Sequence, residues 1–418
     1  MEAQGTWRKP EVSRPLYPVP ANPYIDAMPR KKSHPILPLP DQVALVLQGG
    51  GALGSYQAGV YEQLYELDIE LDWVAGISIG AVNAAIIAGN RKSDCLEKLK
   101  AFWTQVSGWF PDIVPLPGNE MREMAHLWSA GAVTAMGVPG FFAPHLVNPF
   151  WAPEGSNAAI SYYDTSPLIK TLDELVDWDR VNHGPMRFSV GAVDVESGNF
   201  AYFDNRDSAW KGKIDARHVL ASGALPPGFP PVEIDGRYYW DGGLVSNTPL
   251  QHILDHQEGD MLIFQVDLFP AEGALPRLMS EVWSREKDIR YSSRTRMVTD
   301  QYLRARREHK AMCELLDILP PDLRETKQAK KLESFIDDSA VNIVHLIYRN
   351  REWETGARDF EFSNATMKDH WQQGQEAVQD ALLDGDMLAQ NISDGKTAAF
   401  DVDRNHHLCK KDAKGVEP

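Results

Sequence analysis

The sequence of 418 residues predicts an α/β fold with a mainly parallel β-sheet. Short runs of β-branched residues and leucine alternate with stretches of helical periodicity, an alternation that is typical of parallel sheets. Hydrophobic residues make up 43% and charged residues 24% of the chain, as in an ordinary globular protein. The length is sufficient for a sizeable hydrophobic core.

The predicted elements follow one another from residue 42 onward. Residues 42–48 (QVALVLQ) predict a buried strand, and GGGALG follows at 49–54. The next stretch has a helical apolar face formed by Tyr56, Val60, Leu64 and Leu67. Later strands are predicted near 72–77, 187–195, 261–269 and 341–348. Helices are predicted at 79–88, at 276–315 (one long helix or a pair) and at 366–384.

Charge and cysteine content exclude several classes of function. The formal net charge of −17 argues against a nucleic-acid partner, because a phosphate-binding face needs a basic surplus. The three cysteines, Cys95, Cys313 and Cys409, include no CxxC pair. We therefore expect neither a disulfide framework nor a zinc site, and a reducing, cytoplasmic compartment.

Two segments bear on membranes. Residues 1–40 carry nine prolines and no continuous apolar run, so we expect a disordered arm and no signal peptide. The stretch from Leu127 to Pro153 has no charged residue and is long enough to span a bilayer, but four prolines interrupt it. A spanning helix must satisfy its own backbone hydrogen bonds, so we expect an apolar loop region instead.

The first glycine motif lies between the first predicted strand and helix. Gly49, Gly51 and Gly54 match the G-x-G-x-x-G spacing of dinucleotide-binding proteins. In that reading an acid should end the second strand, but Asp72 precedes it. The backbone N–H groups of such a loop also bind anions, including a developing oxyanion.

The second motif places Ser78 between Gly76 and Gly80 (GISIG) at a predicted strand-to-helix turn. This arrangement is typical of a nucleophile elbow, in which the glycines relieve crowding and the serine projects from the sheet edge. The serine needs a base. None of the twelve histidines, including His218, has a recognisable triad context.

Asp241 is the better candidate base. It lies in YYWDGG, where Gly242 and Gly243 permit a tight turn and the preceding aromatic residues favour partial burial. Burial raises the pKa of a carboxylate, which makes it a stronger base. A solvated turn aspartate is the alternative.

GGGALG, GISIG and the distant DGG together resemble the patatin-like phospholipase family over roughly residues 42–269. The resemblance implies a three-layer α/β/α fold with a mainly parallel sheet. It also implies a Ser–Asp dyad that works without histidine, metal or cofactor. Ser78 would be the nucleophile and Asp241 the general base. The N–H groups of Gly49, Gly50 and Gly51 would form the oxyanion hole.

This chain departs from the family pattern at Leu53, where many members carry arginine or lysine in the glycine loop. A cation there could help to bind an anionic head group, so its absence favours a neutral ester or a lysolipid over a phospholipid. The resemblance as a whole implies a lipid or other hydrophobic ester as substrate, which is a phospholipid, a lysolipid or a neutral acyl ester. The resemblance extends to a mostly helical C-terminal region carried by a subset of bacterial members.

The predicted domain organisation has four parts. The arm at 1–40 precedes an acyl hydrolase domain at 41–269, a C-terminal accessory region at 270–390 and a disordered tail at 391–418.

Two surfaces raise the hypothesis of peripheral membrane contact. One is an aromatic-rich insertion at 102–163, a lid or acyl pocket or else a small separate core. The other is the stretch 281–310, with nine basic residues against five acidic ones, which is also typical of a solvated helix.

Two alternatives remain open. One is a nucleotide-dependent oxidoreductase, which would leave Ser78 and the DGG segment unexplained. The other is a non-catalytic or acyl-transferring protein that keeps the fold and binds lipid. The sequence does not indicate an oligomeric state.

Overall fold

The computed structural model describes residues 37–108, 118–351, 353–354, 356–383, 385–403 and 406–411. Most of the expected N-terminal arm therefore lies outside the described residues. In chain order the strands are β1 Gln42–Leu47, β2 Trp73–Gly76, β3 Ala143–Pro144, β4 Tyr163–Asp164, β5 Arg187–Asp194, β6 Phe200–Asp204, β7 Val232–Ile234, β8 Arg237–Asp241, β9 Met261–Asp267, β10 Val341–Ile347, β11 Ala398–Val402 and β12 Leu408–Lys410. The first seven helices are α1 Gly54–Glu66, α2 Ile79–Ala88, α3 Lys92–Ser107, α4 Asn119–Met136, α5 Asn157–Ile160, α6 Ser166–Leu175 and α7 Trp178–His183. The others are α8 Ala216–Ser222, α9 Leu250–Asp255, α10 Met279–Asp317, α11 Pro321–Arg324, α12 Lys327–Glu333, α13 Asn364–Leu383 and α14 Asp386–Ser393.

The main sheet has the strand order β12-β11-β10-β9-β1-β2-β5-β8-β7, with β6 also paired to β5. Six neighbouring strands, from β11 to β5, run parallel, and the strands at either end of this block are antiparallel. This confirms the predicted α/β class with a mainly parallel sheet. Antiparallel β8 pairs with the last residues of β5, which brings Asp241 opposite Ala192.

The sheet is covered on both faces, which explains why its central strands are apolar runs. In β1, Val43, Leu45 and Leu47 pack into one hydrophobic cluster together with residues of α1, α2 and α13. Ala44 and Val46 belong to a second cluster with residues of α9 and α10. The alternation of side chains along β1 thus separates two helical layers.

The C-terminal region is helical over much of its length, but it also extends the sheet. Strand β10 pairs with β9 along its whole length, and β11 and β12 continue the sheet beyond it. Helix α13 crosses α1 so closely that a Cβ on Gly59 would lie 1.8 Å from the Trp371 carbonyl oxygen. The residues after 270 therefore share the core of the preceding residues.

The expectation of a disordered tail from 391 onward differs from the structure. Asn391 is buried in α14, and its amide donates to Asn342 Oδ1 and to the Lys396 carbonyl oxygen, both at 2.6 Å. Ala398, Ala399 and Phe400 are buried in β11. Five residues between polar flanks gave too short an apolar pattern to predict this strand. Residues 412–418 lie outside the described part.

Candidate active site

The glycine loop leaves the carboxyl end of β1 and enters α1 through a short 3-10 turn at Gly51–Leu53. Gly51 has a φ of +56°, which favours glycine. A Cβ on Gly49 would lie 2.3 Å from Asn247 Oδ1 and 3.1 Å from the Cβ of Ser78. The loop therefore approaches Ser78 as closely as it does only because residue 49 has no side chain.

Asn247 holds the start of this loop with two hydrogen bonds. Its side-chain amide donates to the Gly49 carbonyl oxygen at 2.8 Å, and its own carbonyl oxygen accepts from the Gly49 N–H at 3.1 Å. The Gly49 N–H is thus engaged by the protein. Of the three glycines predicted to form an oxyanion hole, Gly50 and Gly51 are left as the better donors.

Ser78 lies at the turn between β2 and α2, with a φ of +55° and a ψ of −123°. Positive φ is strained for a residue with a side chain. The turn is also tight: a Cβ on Gly76 would lie 2.2 Å from the Gly80 carbonyl oxygen, and one on Gly80 would lie 2.3 Å from that of Leu47. Ser78 is half-buried at the amino end of α2. The local geometry is that of a nucleophile elbow.

Ser222 supports this turn from α8. Its hydroxyl accepts from the Ser78 N–H at 3.0 Å and donates to the Gly191 carbonyl oxygen at 2.6 Å. Ser222 therefore connects the strained backbone at Ser78 with β5 through these two hydrogen bonds. No local sequence pattern indicates Ser222, because its contacts depend on the packing of α8 against the sheet.

Asp241 ends β8 and is 2% exposed. Its carboxylate accepts from the Gly243 N–H at 2.7 Å. Burial raises the pKa of Asp241 from 3.8 to about 7, although hydrogen bonding from the Gly243 N–H and from the Ser78 side chain opposes the increase. A Cβ on Gly242 would lie 2.6 Å from the Gly191 carbonyl oxygen, so this glycine permits the close approach of the turn to β5.

A cavity of about 360 Å³ opens at Ser78 and Asp241 and includes the glycine loop in its lining. The rest of the lining is largely apolar. Its aromatic members are Phe141, Phe142, Tyr163, Phe229, Phe269, Tyr291, Phe360 and Phe362. Several of them touch one another: the ring centroids of Phe142 and Phe229 are 5.2 Å apart, and those of Phe141 and Phe362 are 5.9 Å apart. Ser78 and Asp241 therefore meet at the wall of a largely aromatic cavity.

The aromatic residues predicted in the insertion at 102–163 divide into groups. Phe102 and Trp103 are core residues of α3. Phe141, Phe142 and Tyr163 line the cavity. The exposed members are Trp128, Phe150, Trp151 and Tyr162. Trp109 and Phe110 lie outside the described residues. Within the described part of the chain, no helix combines the length and apolar character needed to cross a membrane.

Two other sequence candidates lie away from this site. His218 is buried in α8. Its Nδ1 accepts a hydrogen bond from the Asp215 N–H at the start of the helix, and its ring packs on Phe203 and Trp210. Asp72 accepts a hydrogen bond from the N–H of Val43 at the amino end of β1, whereas the glycine loop follows the carboxyl end. Asp72 is therefore at the wrong end of the sheet to hold a nucleotide ribose beside the loop.

The C-terminal region supplies part of the cavity wall that sequence reasoning missed. Asp359, Phe360 and Phe362 line the cavity, and Tyr291 reaches it from α10. The segment RDFEF at 358–362 contains Asp359, Phe360 and Phe362, but no local pattern connects that segment with the glycine loop.

Comparisons with known proteins identify similar sequences. Residues 45–254 match the family model described as patatin-like phospholipase, and residues 289–393 match a second one described as patatin phospholipase. A lysophospholipase of Cryptococcus neoformans is 24% identical over 247 residues, which cover 56% of this chain and 12% of that protein. An uncharacterized NTE family protein of Mycobacterium tuberculosis is 24% identical over 212 residues, 51% of this chain and 45% of that protein. The chain thus spans only an eighth of the fungal relative and under half of the mycobacterial one.

Two similar solved structures are those of VipD from Legionella pneumophila and the type III effector protein ExoU. VipD is 15% identical with a TM-score of 0.31, and the match covers 85% of this chain and 78% of that one. ExoU is 14% identical with a TM-score of 0.33, and the match covers 82% and 53%. The patatin-like model alone spans half of this sequence, and on that match the chain belongs to the patatin-like phospholipase family.

Proposed function

We propose that this chain is a serine acyl hydrolase that cleaves a carboxylic ester of a lipid with a Ser78–Asp241 dyad. The observation that carries the proposal is that Ser78 lines the same cavity as the fully buried carboxylate of Asp241, whose pKa is raised by burial to about 7 and is lowered in part by hydrogen bonding from the Ser78 side chain. An unperturbed aspartate is a weak base, and a pKa near neutrality suits proton transfer at physiological pH.

In the first half of the reaction, the Ser78 oxygen attacks the ester carbonyl carbon while Asp241 takes the hydroxyl proton. The negative charge that develops on the carbonyl oxygen is stabilised by the N–H groups of Gly50 and Gly51 and by the amino end of α2. The tetrahedral intermediate collapses to an acyl-enzyme, and the leaving alcohol takes the proton from Asp241.

In the second half, Asp241 accepts a proton from water, which attacks the acyl-enzyme. Collapse of the second tetrahedral intermediate releases the fatty acid and returns the proton to the Ser78 oxygen. The apolar walls hold the acyl chain and exclude bulk water, which strengthens each of these electrostatic interactions.

The substrate class follows from the cavity and from residue 53. The aromatic lining suits an acyl chain. Leu53 is fully buried in the core, so this position presents no group to a lipid head. The aromatic lining and the buried Leu53 are compatible with a phospholipid, a lysolipid and a neutral ester. The lysophospholipase name of the fungal relative favours a lysolipid.

We also propose contact with a lipid surface through an aromatic rim formed by Trp128, Phe150 and Trp151. Their exposed fractions are 71%, 86% and 85%. They belong to segments that reach the cavity. Helix α4, which carries Trp128, lines the cavity through Val133 and Thr134. At the other end of the insertion, Tyr162 donates its N–H to the carbonyl oxygen of Pro227, which also lines the cavity. Exposed tryptophan and phenylalanine partition into membrane interfaces.

The decisive experiment is hydrolysis of p-nitrophenyl esters of graded chain length by the wild type, Ser78→Ala and Asp241→Asn. We expect activity in the wild type alone, with a loss of about 10²–10⁴-fold when the base is removed. Ser93→Ala, an exposed serine at the start of α3, is the matched control and should retain activity. Activity that survives in Ser78→Ala would contradict the proposal. Product that forms only with an added alcohol acceptor would indicate acyl transfer, and binding without Ser78-dependent turnover would indicate a lipid-binding role.

A further inference from the structure

The glycine loop is packed against a segment of the C-terminal region. The 3-10 turn Arg358–Phe360 packs against it, and a Cβ on Gly51 would lie 2.2 Å from the Asp359 carbonyl oxygen. Asp359 also lines the cavity that contains Ser78. The Asp359 Cβ would lie 3.6 Å from the same added atom, so the side chain of an acidic residue begins beside the loop whose N–H groups are proposed to bind an oxyanion.

The charge of Asp359 acts on a second residue of the cavity wall, Tyr291. Tyr291 of α10 lines the same cavity, and its carbonyl oxygen accepts from Gln48 Nε2 at 3.1 Å, directly before the glycine loop. The pKa of Tyr291 is raised by burial and then by the negative charges of Asp241 and Asp359. Both carboxylates thus act on one phenol at the cavity wall.

Two neighbouring residues of α10 neutralise this turn. Lys287 Nζ lies 2.8 Å and 2.9 Å from the two carboxylate oxygens of Asp359, and it also donates to the Gly356 carbonyl oxygen at 3.3 Å. The next residue, Asp288, pairs with Arg358. The Lys287–Asp359 pair is 25% and 15% exposed, so solvent screens it only partly.

An unpaired carboxylate at this position would oppose catalysis. The transition state places a negative charge on the loop, and a second negative charge nearby in a water-poor site raises its energy. The carbonyl oxygen of the ground-state ester carries no full charge, so the ground state is affected much less. An effect on the transition state alone appears in kcat rather than in KM.

We propose that Lys287 is a positioning residue for the reaction, which holds and neutralises Asp359 so that the glycine loop is free of an opposing charge. The inference rests on the proposed function, because it requires an oxyanion at Gly50 and Gly51. It assigns an electrostatic role in the reaction to the C-terminal region.

The test uses Lys287→Gln, Lys287→Arg, Asp359→Asn and the double variant Lys287→Gln with Asp359→Asn. Glutamine keeps an amide donor toward Asp359 and removes only the charge. With p-nitrophenyl butyrate, a neutral ester, we expect Lys287→Gln to lower kcat about tenfold or more with KM within about threefold of wild type. Lys287→Arg, Asp359→Asn and the double variant should each stay within about threefold of the wild-type kcat.

Lys310→Met removes an exposed cation from the far end of the same helix and is the control, for which no change is expected. Thermal unfolding of each variant separates folding from catalysis. A purely structural tether would make Asp359→Asn and the double variant as impaired as Lys287→Gln, and this result would overturn the inference. Ser78-dependent hydrolysis that is unaffected by Lys287→Gln would also overturn it and leave the proposed function intact. Wild-type protein without Ser78-dependent hydrolysis would contradict the proposed function itself, and the inference with it.

Discussion

Ser78 and Asp241 line one cavity, and hydrogen bonding from the Ser78 side chain lowers the pKa of the Asp241 carboxyl, which burial at the end of β8 raises to about 7. The two residues belong to distant parts of the sequence, and the pairing of β8 with β5 beyond the end of β2 brings them together. Burial raises the pKa of Asp241 toward neutrality, as the proposed base requires, and it also penalises the charged carboxylate. Activity and stability should therefore depend on pH in opposite directions.

The pH dependence of the rate is the first consequence. Asp241 must be unprotonated to accept the serine proton, and its pKa is about 7. We expect kcat/KM for a neutral ester to level off above about pH 8 and to fall about tenfold per pH unit below about pH 6. Asp207→Asn, which changes an exposed acid, should leave the midpoint unchanged. A rate that is flat between pH 5 and pH 8 would argue against Asp241 as the base.

The stability of Asp241→Asn is the second consequence. The folded-state pKa of Asp241 lies above its unfolded value of 3.8, so its contribution to stability is fully present below about pH 4 and is lost as pH rises through about 7. Asparagine carries no charge and avoids this loss. We expect Asp241→Asn to be more stable than wild type at pH 8, by up to roughly 4 kcal/mol. Because only the charge differs, the advantage should shrink toward pH 4.

Denaturant unfolding of both proteins at pH 8 and near pH 4 measures this difference. An advantage of the same size at both pH values would come from packing rather than from charge. It would contradict the assignment of a raised pKa to Asp241.

Much of the site was predictable from sequence because its parts are local. The strand–loop–helix at 42–66 and the turn at 73–88 each combine an apolar run with glycines at fixed spacing, so pattern and chemistry coincide. The positions of Ser78 and of the glycine loop at adjacent strand ends then follow from a parallel sheet. Residues 76 and 80 are glycine because the turn has no space for a Cβ.

Ser222, Asn247 and Asp359 were not predictable, for a physical reason. Each contacts the site through a single atom or group placed by long-range packing, and a lone polar residue in a helix or loop carries no periodic signal. The addition of β10 to β9 was hidden in the same way. A short apolar run predicts a strand but not the strand with which it pairs.

Ser222→Ala tests the support of the strained turn. The substitution removes the acceptor of the Ser78 N–H and leaves a buried donor without its partner, which costs about 1–3 kcal/mol. We expect a lower melting temperature and about tenfold lower kcat with little change in KM, because Ser78 is displaced while the cavity is intact. Ser107→Ala removes another buried serine hydroxyl, bonded to the Trp103 carbonyl oxygen, and is the control. Equal kinetic effects in both variants would indicate general destabilisation instead.

Val133→Phe tests whether the cavity holds the acyl chain. Val133 is buried in α4 and lines the cavity. An added ring should exclude long chains, so we expect kcat/KM for a dodecanoyl ester to fall at least about tenfold and that for a butanoyl ester by less than about threefold. Val147→Phe, at a half-exposed position outside the cavity lining, should change neither. An equal loss on both esters would mean that the acyl chain lies elsewhere.

The aromatic rim is tested by the double variant Phe150→Ser and Trp151→Ser. Both rings are more than four-fifths exposed, so their removal should cost little stability and should remove apolar area that would enter a lipid surface. We expect about tenfold weaker sedimentation with phosphatidylcholine vesicles and an equal loss of hydrolysis of vesicle lipid. Hydrolysis of a soluble butanoyl ester should be unchanged. Phe335→Ser replaces an exposed ring near α12 and is the control. Binding that requires anionic lipid and ignores the rim would instead implicate the basic residues of α10, several of which are already paired within the protein.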